Sequence, residues 1–300
     1  MSWIFFTLAA VIFQTFRNLE QKSLAKKIDA FTVSWSRFIL PFPLAAIALL
    51  YSFHNVGSPF IFYCLISALM QIAGNIFLLE TLKLRNFSIG IAFYKTEVLQ
   101  TLILSLLFFD RHISASAVAA IILTASGVIL ISGSIFNEGI KKFFTSLNNK
   151  AVIYGLLCGF CFSISAFSLK FASQELFAAK YSGIMVPLLV LLWIIFMQNI
   201  FFIILKSYQK RLFHDLKTLF LLENKASFFK TSILSFSGSI CWFTAFAFGT
   251  VVYVKAVGQL ELLLAVLVSH FMLQEKIKTI EIAGIITTAL GILWLILYIA

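Results

Sequence analysis

Two glutamates, Glu97 and Glu261, stand inside stretches otherwise written mostly in Ala, Leu, Ile, Val and Phe. A carboxylate in hydrocarbon is costly, so an intramembrane acid marks a functional candidate. In a poorly solvated cavity, desolvation disfavours the charged form, which would let such a group take up and release a proton near neutral pH. It could equally bind a cationic group of a solute. Tyr94 and Thr101 share the helical face of Glu97, while Gly258 precedes Glu261 by three residues. Lys95, Lys255 and Gln259 lie close by in sequence. The competing reading is a structural Glu–Lys ion pair that holds helices together. Without such a pair, the two carboxylates are expected to face each other.

A second set of polar residues sits in other apolar stretches. Gln14, Arg17, Asn18 and Gln21 follow at i, i+3, i+4 and i+7, a polar stripe on one helix face. Such a stripe must face protein or a wet cavity, because lipid offers its groups no partner. Gln71, Gly74 and Asn75 share one face, and Ser235, Gly238 and Ser239 repeat that spacing, with Trp242 one turn on. Arg37 stands one turn before Pro41, where it could bind an anionic group or reach the interface. The alternative for the Gln71 and Ser235 sets is tight packing with side-chain hydrogen bonds; for Arg17 and Gln21 it is reach to the interface.

The elements that must position these residues are apolar helices. The 300 residues are 61% hydrophobic and 12% charged, with mean hydropathy +1.01, far from the balance of a soluble domain. Runs of about 20 apolar residues recur along the chain and predict a polytopic all-α membrane protein. The net charge of +11 does not indicate nucleic acid, because the Lys and Arg lie mostly in short connectors between apolar runs. Ten spans are predicted: 3–21, 30–53, 59–82, 88–109, 114–135, 152–171, 179–205, 229–248, 251–273 and 279–299. In the connector 206–228, Leu212, Leu216, Leu219 and Phe220 share a face, which suggests a short helix on the membrane surface. Cys158 and Cys161 have the C-x-x-C spacing but lie in a predicted helix with no second Cys or His pair, and read as packing residues. No P-loop, H-E-x-x-H or G-x-S-x-G is present, so no soluble enzyme chemistry, cofactor or metal is called for.

The chain repeats. An offset of 164 pairs Glu97 with Glu261, Thr124 with Thr288, Gly127 with Gly291 and Gly74 with Gly238. The expected organisation is a five-helix unit at 1–135, a linker at 136–150 and a second unit at 151–300. Five is odd, so the second unit enters from the opposite side, giving the inverted repeat of many secondary transporters.

Two motifs carry a family resemblance: Phe108-Phe109-Asp110-Arg111-His112-Ile113 leading to Gly127, and Leu273-Gln274-Glu275-Lys276-Ile277 leading to Gly291. A helix, a charged elbow and a Gly-containing helix closing each half resemble the drug/metabolite transporter superfamily, in its ten-helix EamA-type branch. The resemblance implies helices 1–4 and 6–9 around a central cavity, alternating access, and transport of a small organic solute. The expected function is secondary transport of a small polar or zwitterionic, amino-acid-like metabolite. Glu97, Glu261, Lys95, Lys255 and Gln259 are the charged and polar centre; Gln14, Asn18, Gln71, Asn75, Tyr94, Ser235 and Ser239 shape the cavity; Arg17 or Arg37 meets a carboxylate. The expected partners are that solute and the lipid bilayer of a bacterial inner membrane, with a homodimer left open. The alternatives are a flippase or exporter of a lipid-linked or hydrophobic compound, and a non-transporting scaffold.

Connectors after odd-numbered helices hold nearly all the Lys and Arg, which places them in the cytoplasm and both termini outside. Ten-helix relatives are generally drawn the other way. Cysteines introduced at Lys141 and Lys150 therefore react with a membrane-impermeant thiol reagent only after the cytoplasmic face is opened. Labelling of intact cells at these positions reverses the orientation.

Overall fold

The computed structural model describes residues 2–52, 56–83, 93–109, 113–131, 150–273 and 279–299. These residues are helical, with no strand among them. In chain order the helices are α1 Ser2–Leu24, α2 Ala30–Trp35, α3 Phe42–Ser52, α4 Ser58–Lys83, α5 Glu97–Leu104, α6 Ala115–Ile131, α7 Lys150–Ala178, α8 Met185–Tyr208, α9 Leu212–Phe220, α10 Leu222–Phe248, α11 Val251–Val257, α12 Leu260–Leu273 and α13 Thr279–Ile299. A π-helical turn, Ser105–Phe109, continues α5. Among the described residues, four segments are long and apolar enough to cross a membrane: Ser58–Thr81, Lys150–Ala178, Met185–Tyr208 and Glu223–Phe248.

The distribution of polarity fits a lipid solvent. Phe5, Ile47, Leu50, Phe108, Ile204 and Leu297 are exposed, while Arg17, Arg37, Gln71, Asn75, Lys95, Glu97 and Glu261 are buried. Outward hydrocarbon and inward polar groups are what a bilayer demands of a helical bundle.

Several expected spans are interrupted. The stretch 30–53 divides into α2 and α3 around a turn at 36–41. Pro41 and Pro43 cause this, since each removes an amide donor and crowds the carbonyl four residues earlier. The turn carries Arg37. The helix containing Glu97 breaks at Thr96, and the one containing Glu261 breaks at Gly258 and Gln259. At both breaks the bonds tighten to the i→i+3 type: Thr96 to Phe93, Leu99 to Thr96, Gln259 to Ala256 and Glu261 to Gly258. Such a short tightened stretch inside a helix commonly marks a hinge. The span expected at 179–205 begins instead at Met185, and that expected at 229–248 begins at Leu222.

Packing between helices is reciprocal. α4 packs on α7 as α1 packs on α10; α5 meets α7 as α12 meets α1; α6 pairs with α13 and α3 with α8. The α6–α13 contact is close. A Cβ on Gly291 would lie 2.6 Å from the Thr124 amide nitrogen, and one on Gly127 would strike Thr288 in the same way. Only glycine lets these backbones approach so closely.

The expected surface helix is α9. Leu219 is buried in a cluster with Leu24, Ile28, Val33, Leu79 and Phe228. Asp215 is buried as well. Lys206 meets it at 2.6 Å and donates to the Thr32 hydroxyl at 2.8 Å. Arg211 lies 3.2 Å from Asp215 and 3.7 Å from Asp29, the N-cap of α2. This cluster ties the α1–α2 connector to the end of α8. The linker 136–149, the charged elbows at 110–112 and 274–276, and the sequon at Asn86 lie outside the described residues.

Two outcomes follow. Gly127→Leu or Gly291→Leu lowers the melting temperature, corresponding to about 1–3 kcal/mol of overpacking, whereas Leu290→Ala on the exposed face of α13 changes stability far less. Burial alone pushes the Asp29 carboxyl up, but hydrogen bonds from Thr32 and the charges of Lys206 and Arg211 outweigh it and hold the carboxyl below its ordinary value. That stabilisation is complete above the unfolded carboxylate value of about 3.9 and is lost as pH falls through the lower folded value. A pH series of melting temperatures shows the Asp29→Asn difference shrinking in acid below that point.

Candidate functional site

Local sequence places the two glutamates at equivalent points. Each lies in the first turn of the helix that follows a break, α5 for Glu97 and α12 for Glu261. A carboxylate there meets the positive end of the helix dipole, worth about 0.3–1 kcal/mol and up to about 2 when partly buried. Gly159 lets the Glu97 segment lie against α7, since a Cβ there would meet the Tyr94 carbonyl at 3.2 Å and the Glu97 Cα at 3.3 Å. Ser163 of α7 bonds Thr101 at 2.8 Å, and Thr101 bonds the Glu97 carbonyl at 2.8 Å. Gly258 lets Trp242 close over the other break, 2.6 Å from where a Cβ would stand.

The carboxylates do not face each other unpaired. Lys95 Nζ donates to Glu261 Oε2 at 2.7 Å, and Lys255 Nζ donates to Glu97 Oε1. Each pair joins one half of the chain to the other. Glu261 is further held by Gln14 Nε2 on Oε2 and Asn18 Nδ2 on Oε1, both at 2.7 Å. Gln14 Oε1 in turn accepts from Trp242 Nε1 at 2.8 Å. The polar stripe of α1 therefore serves the carboxylate of the second half. The sequence left open a Glu–Lys pair in place of facing acids, and each lysine, two or six residues before a glutamate in sequence, reaches the glutamate of the opposite half.

Aromatic rings surround the lysines. Lys255 Nζ lies 5.3 Å from the Phe246 ring centroid and 5.9 Å from those of Trp242 and Phe162. Lys95 Nζ lies 4.9 Å from the Tyr94 ring. Ring faces attract cations, the more so when desolvated.

A cavity of about 80 Å³ lies at this centre. Gln14, Arg17, Arg37, Gln71, Tyr94, Lys95, Glu97, Ser239, Lys255, Gln259 and Glu261 line it. Asn18 and Asn75 stand just behind, Asn18 on Glu261 and Asn75 on Arg37. Ser235 is buried with its hydroxyl unpartnered and is not part of the wall. The side chain of His270 lies outside the described residues. The sequence missed the aromatic part of the wall, Phe162, Phe243 and Phe246, because 35 phenylalanines leave no contrast against lipid-facing ones. It also missed Gln198, which donates to Gln71 at 3.3 Å. Ligand pockets usually hold about 300–1,000 Å³. This one is smaller, and the side chains of Lys95 and Lys255 form part of its wall.

Residues 1–133 match the model of the EamA-like transporter family. The first of the two elbow motifs, at 108–127, falls within the matched residues. One solved crystal structure of a protein aligns over 99% of this chain and 98% of its own, with TM-score 0.70 and 12% identity. At that identity the likeness is one of fold. No curated protein matches the chain.

Lys95→Met strands a buried carboxylate and costs about 3–5 kcal/mol, whereas Lys95→Met with Glu261→Gln recovers most of the loss. Unfolding of the purified protein in detergent measures this cycle. Additive losses contradict the pairing.

Proposed function

We propose that this EamA-like chain is a secondary transporter that carries a small polar metabolite by alternating access, with Glu97 and Glu261 at its centre. The class includes amino-acid-like zwitterions. The observation that carries the reading is the pair of cross-half ion bridges, Lys95–Glu261 and Lys255–Glu97, closing a cavity near the middle of the bundle. The two halves act as inverted five-helix repeats, 1–135 and 151–300 in ten spans. The reciprocal packing of α1 with α10 and α4 with α7, and of Thr124 and Thr288 against the opposite glycines, supports that arrangement.

The bridges act as a latch. While both are made, lysine side chains occupy the space a solute needs. A solute, or a proton on either carboxylate, weakens one bridge and lets the halves rock about the breaks at Thr96 and Gly258–Gln259. Breaking a bridge inside a low-dielectric site is costly unless the incoming group replaces what is lost. That cost couples occupancy to movement. A passive scaffold needs neither paired hinges nor a polar cavity, and a carrier of hydrophobic compounds has no use for six charged side chains in the wall.

A thermal-shift screen over amino acids, nucleosides, polyamines and small organic anions selects the solute to follow. In proteoliposomes, Glu97→Gln and Glu261→Gln each reduce its uptake on the order of tenfold or more, and flatten its pH dependence. Uptake and pH dependence that survive both changes overturn the assignment.

A further inference from the structure

The charges in the cavity wall do not cancel. Arg17, Arg37, Lys95 and Lys255 face Glu97 and Glu261, four cations against two carboxylates. Each lysine is bonded to one of the glutamates. That leaves two guanidiniums outside any ion pair among the described residues.

Arg37 is the clearer case. It is only 5% exposed. Nη1 donates to Asn75 Oδ1 at 2.9 Å, and the group lies 5.1 Å from the Phe38 ring. Its Nε is buried without a partner, as is the amide nitrogen of Asn75. Both orphaned groups are donors, and both call for an acceptor. Arg17, also buried, donates through Nη2 and Nε to one neutral oxygen, Asn18 Oδ1, at 2.8 and 3.3 Å. Its nearest acid, Glu261, already accepts from Lys95, Gln14 and Asn18. An unpaired charge held away from water costs several kcal/mol, so a wall built with two of them is built for an occupant.

The chemistry of that occupant follows. A guanidinium presents a planar fork of donors matched to carboxylate or phosphate oxygens. A cationic solute would add to an existing positive excess. A zwitterion would bring an ammonium group for which no carboxylate is free unless a lysine is displaced. An anion needs no displacement to be neutralised.

We infer that the solute is a soluble organic anion, and that its carboxylate or phosphate is taken by Arg17 and Arg37 in the central cavity. This rests on the transporter reading and narrows it from small polar metabolites to anionic ones.

The test is binding and uptake with named probes at constant ionic strength. Purified protein is titrated with succinate, citrate, glycerol 3-phosphate, glycine, putrescine and phosphatidylglycerol, and unfolding temperature is read. At least one of the three soluble organic anions raises it, while glycine and putrescine do not. Arg17→Gln and Arg37→Gln each weaken that binding on the order of tenfold to a hundredfold, the loss of a charge-assisted bond. Arg37→Lys keeps the charge without the fork and recovers part of the affinity that Arg37→Gln loses, which separates an anion site from a folding defect at Arg37. Stabilisation by glycine, putrescine or phosphatidylglycerol alone overturns the inference, as does anion binding that both glutamine variants retain. Failure of this inference and failure of transport are distinguishable. Uptake of labelled glycine that depends on Glu97 leaves the transporter standing and removes the anion. Arginine-dependent anion binding with no uptake into proteoliposomes does the reverse.

Discussion

The cross-half bridges are the constraint on which the rest of this protein depends. Lys95 and Glu261 are 166 residues apart, and Lys255 and Glu97 are 158 apart. Neither glutamate could stay charged among apolar helices without its lysine, and neither lysine could stay buried without its glutamate. The helix breaks before Glu97 and Glu261 are needed to aim the carboxylates, and Gly159 and Gly258 are needed to let the broken segments pack. The polar stripe of α1 then saturates both oxygens of Glu261 through Gln14 and Asn18. Each of these features would be a liability in lipid; together they form one satisfied network.

The α6–α13 contact and the α1–α2 connector solve different problems from the cavity. At the α6–α13 contact, Thr124 and Thr288 each cross the opposite glycine, leaving backbones in van der Waals contact with no charge involved. That is a rigid seam, suited to peripheral supports. At the α1–α2 connector, Lys206, Asp215, Asp29 and Arg211 form a compact ionic knot. Lys206 is only 1% exposed there. A second set of opposed charges thus links the same two halves of the chain.

Much of this was legible in the sequence. Hydropathy gave the helical class, and the 164-residue offset paired Glu97 with Glu261 and Gly127 with Gly291, residues that the fold sets in reciprocal contacts. The candidates mostly converge on one cavity because buried polar groups in lipid have nowhere else to go. What escaped were relations across space. Periodicity put Lys95 near Glu97, but only tertiary packing reveals that its partner is Glu261. Nor did the sequence indicate that Lys206, nine residues before Asp215, pairs with it in the interior. The proline turn at 36–41 was hidden by continuous apolarity, although Pro41 and Pro43 carried the signal, and the Phe162, Phe243 and Phe246 wall had no contrast against the many other phenylalanines.

The most direct measurement is charge reversal of the second bridge. Glu97→Lys places like charges against Lys255, so stability in detergent and solute uptake should both fall sharply. Adding Lys255→Glu restores the opposed pair with its polarity exchanged, and should recover most of the stability and a measurable part of the uptake. A double variant no better than Glu97→Lys alone would contradict a bridge between the halves as the interaction on which this protein is built.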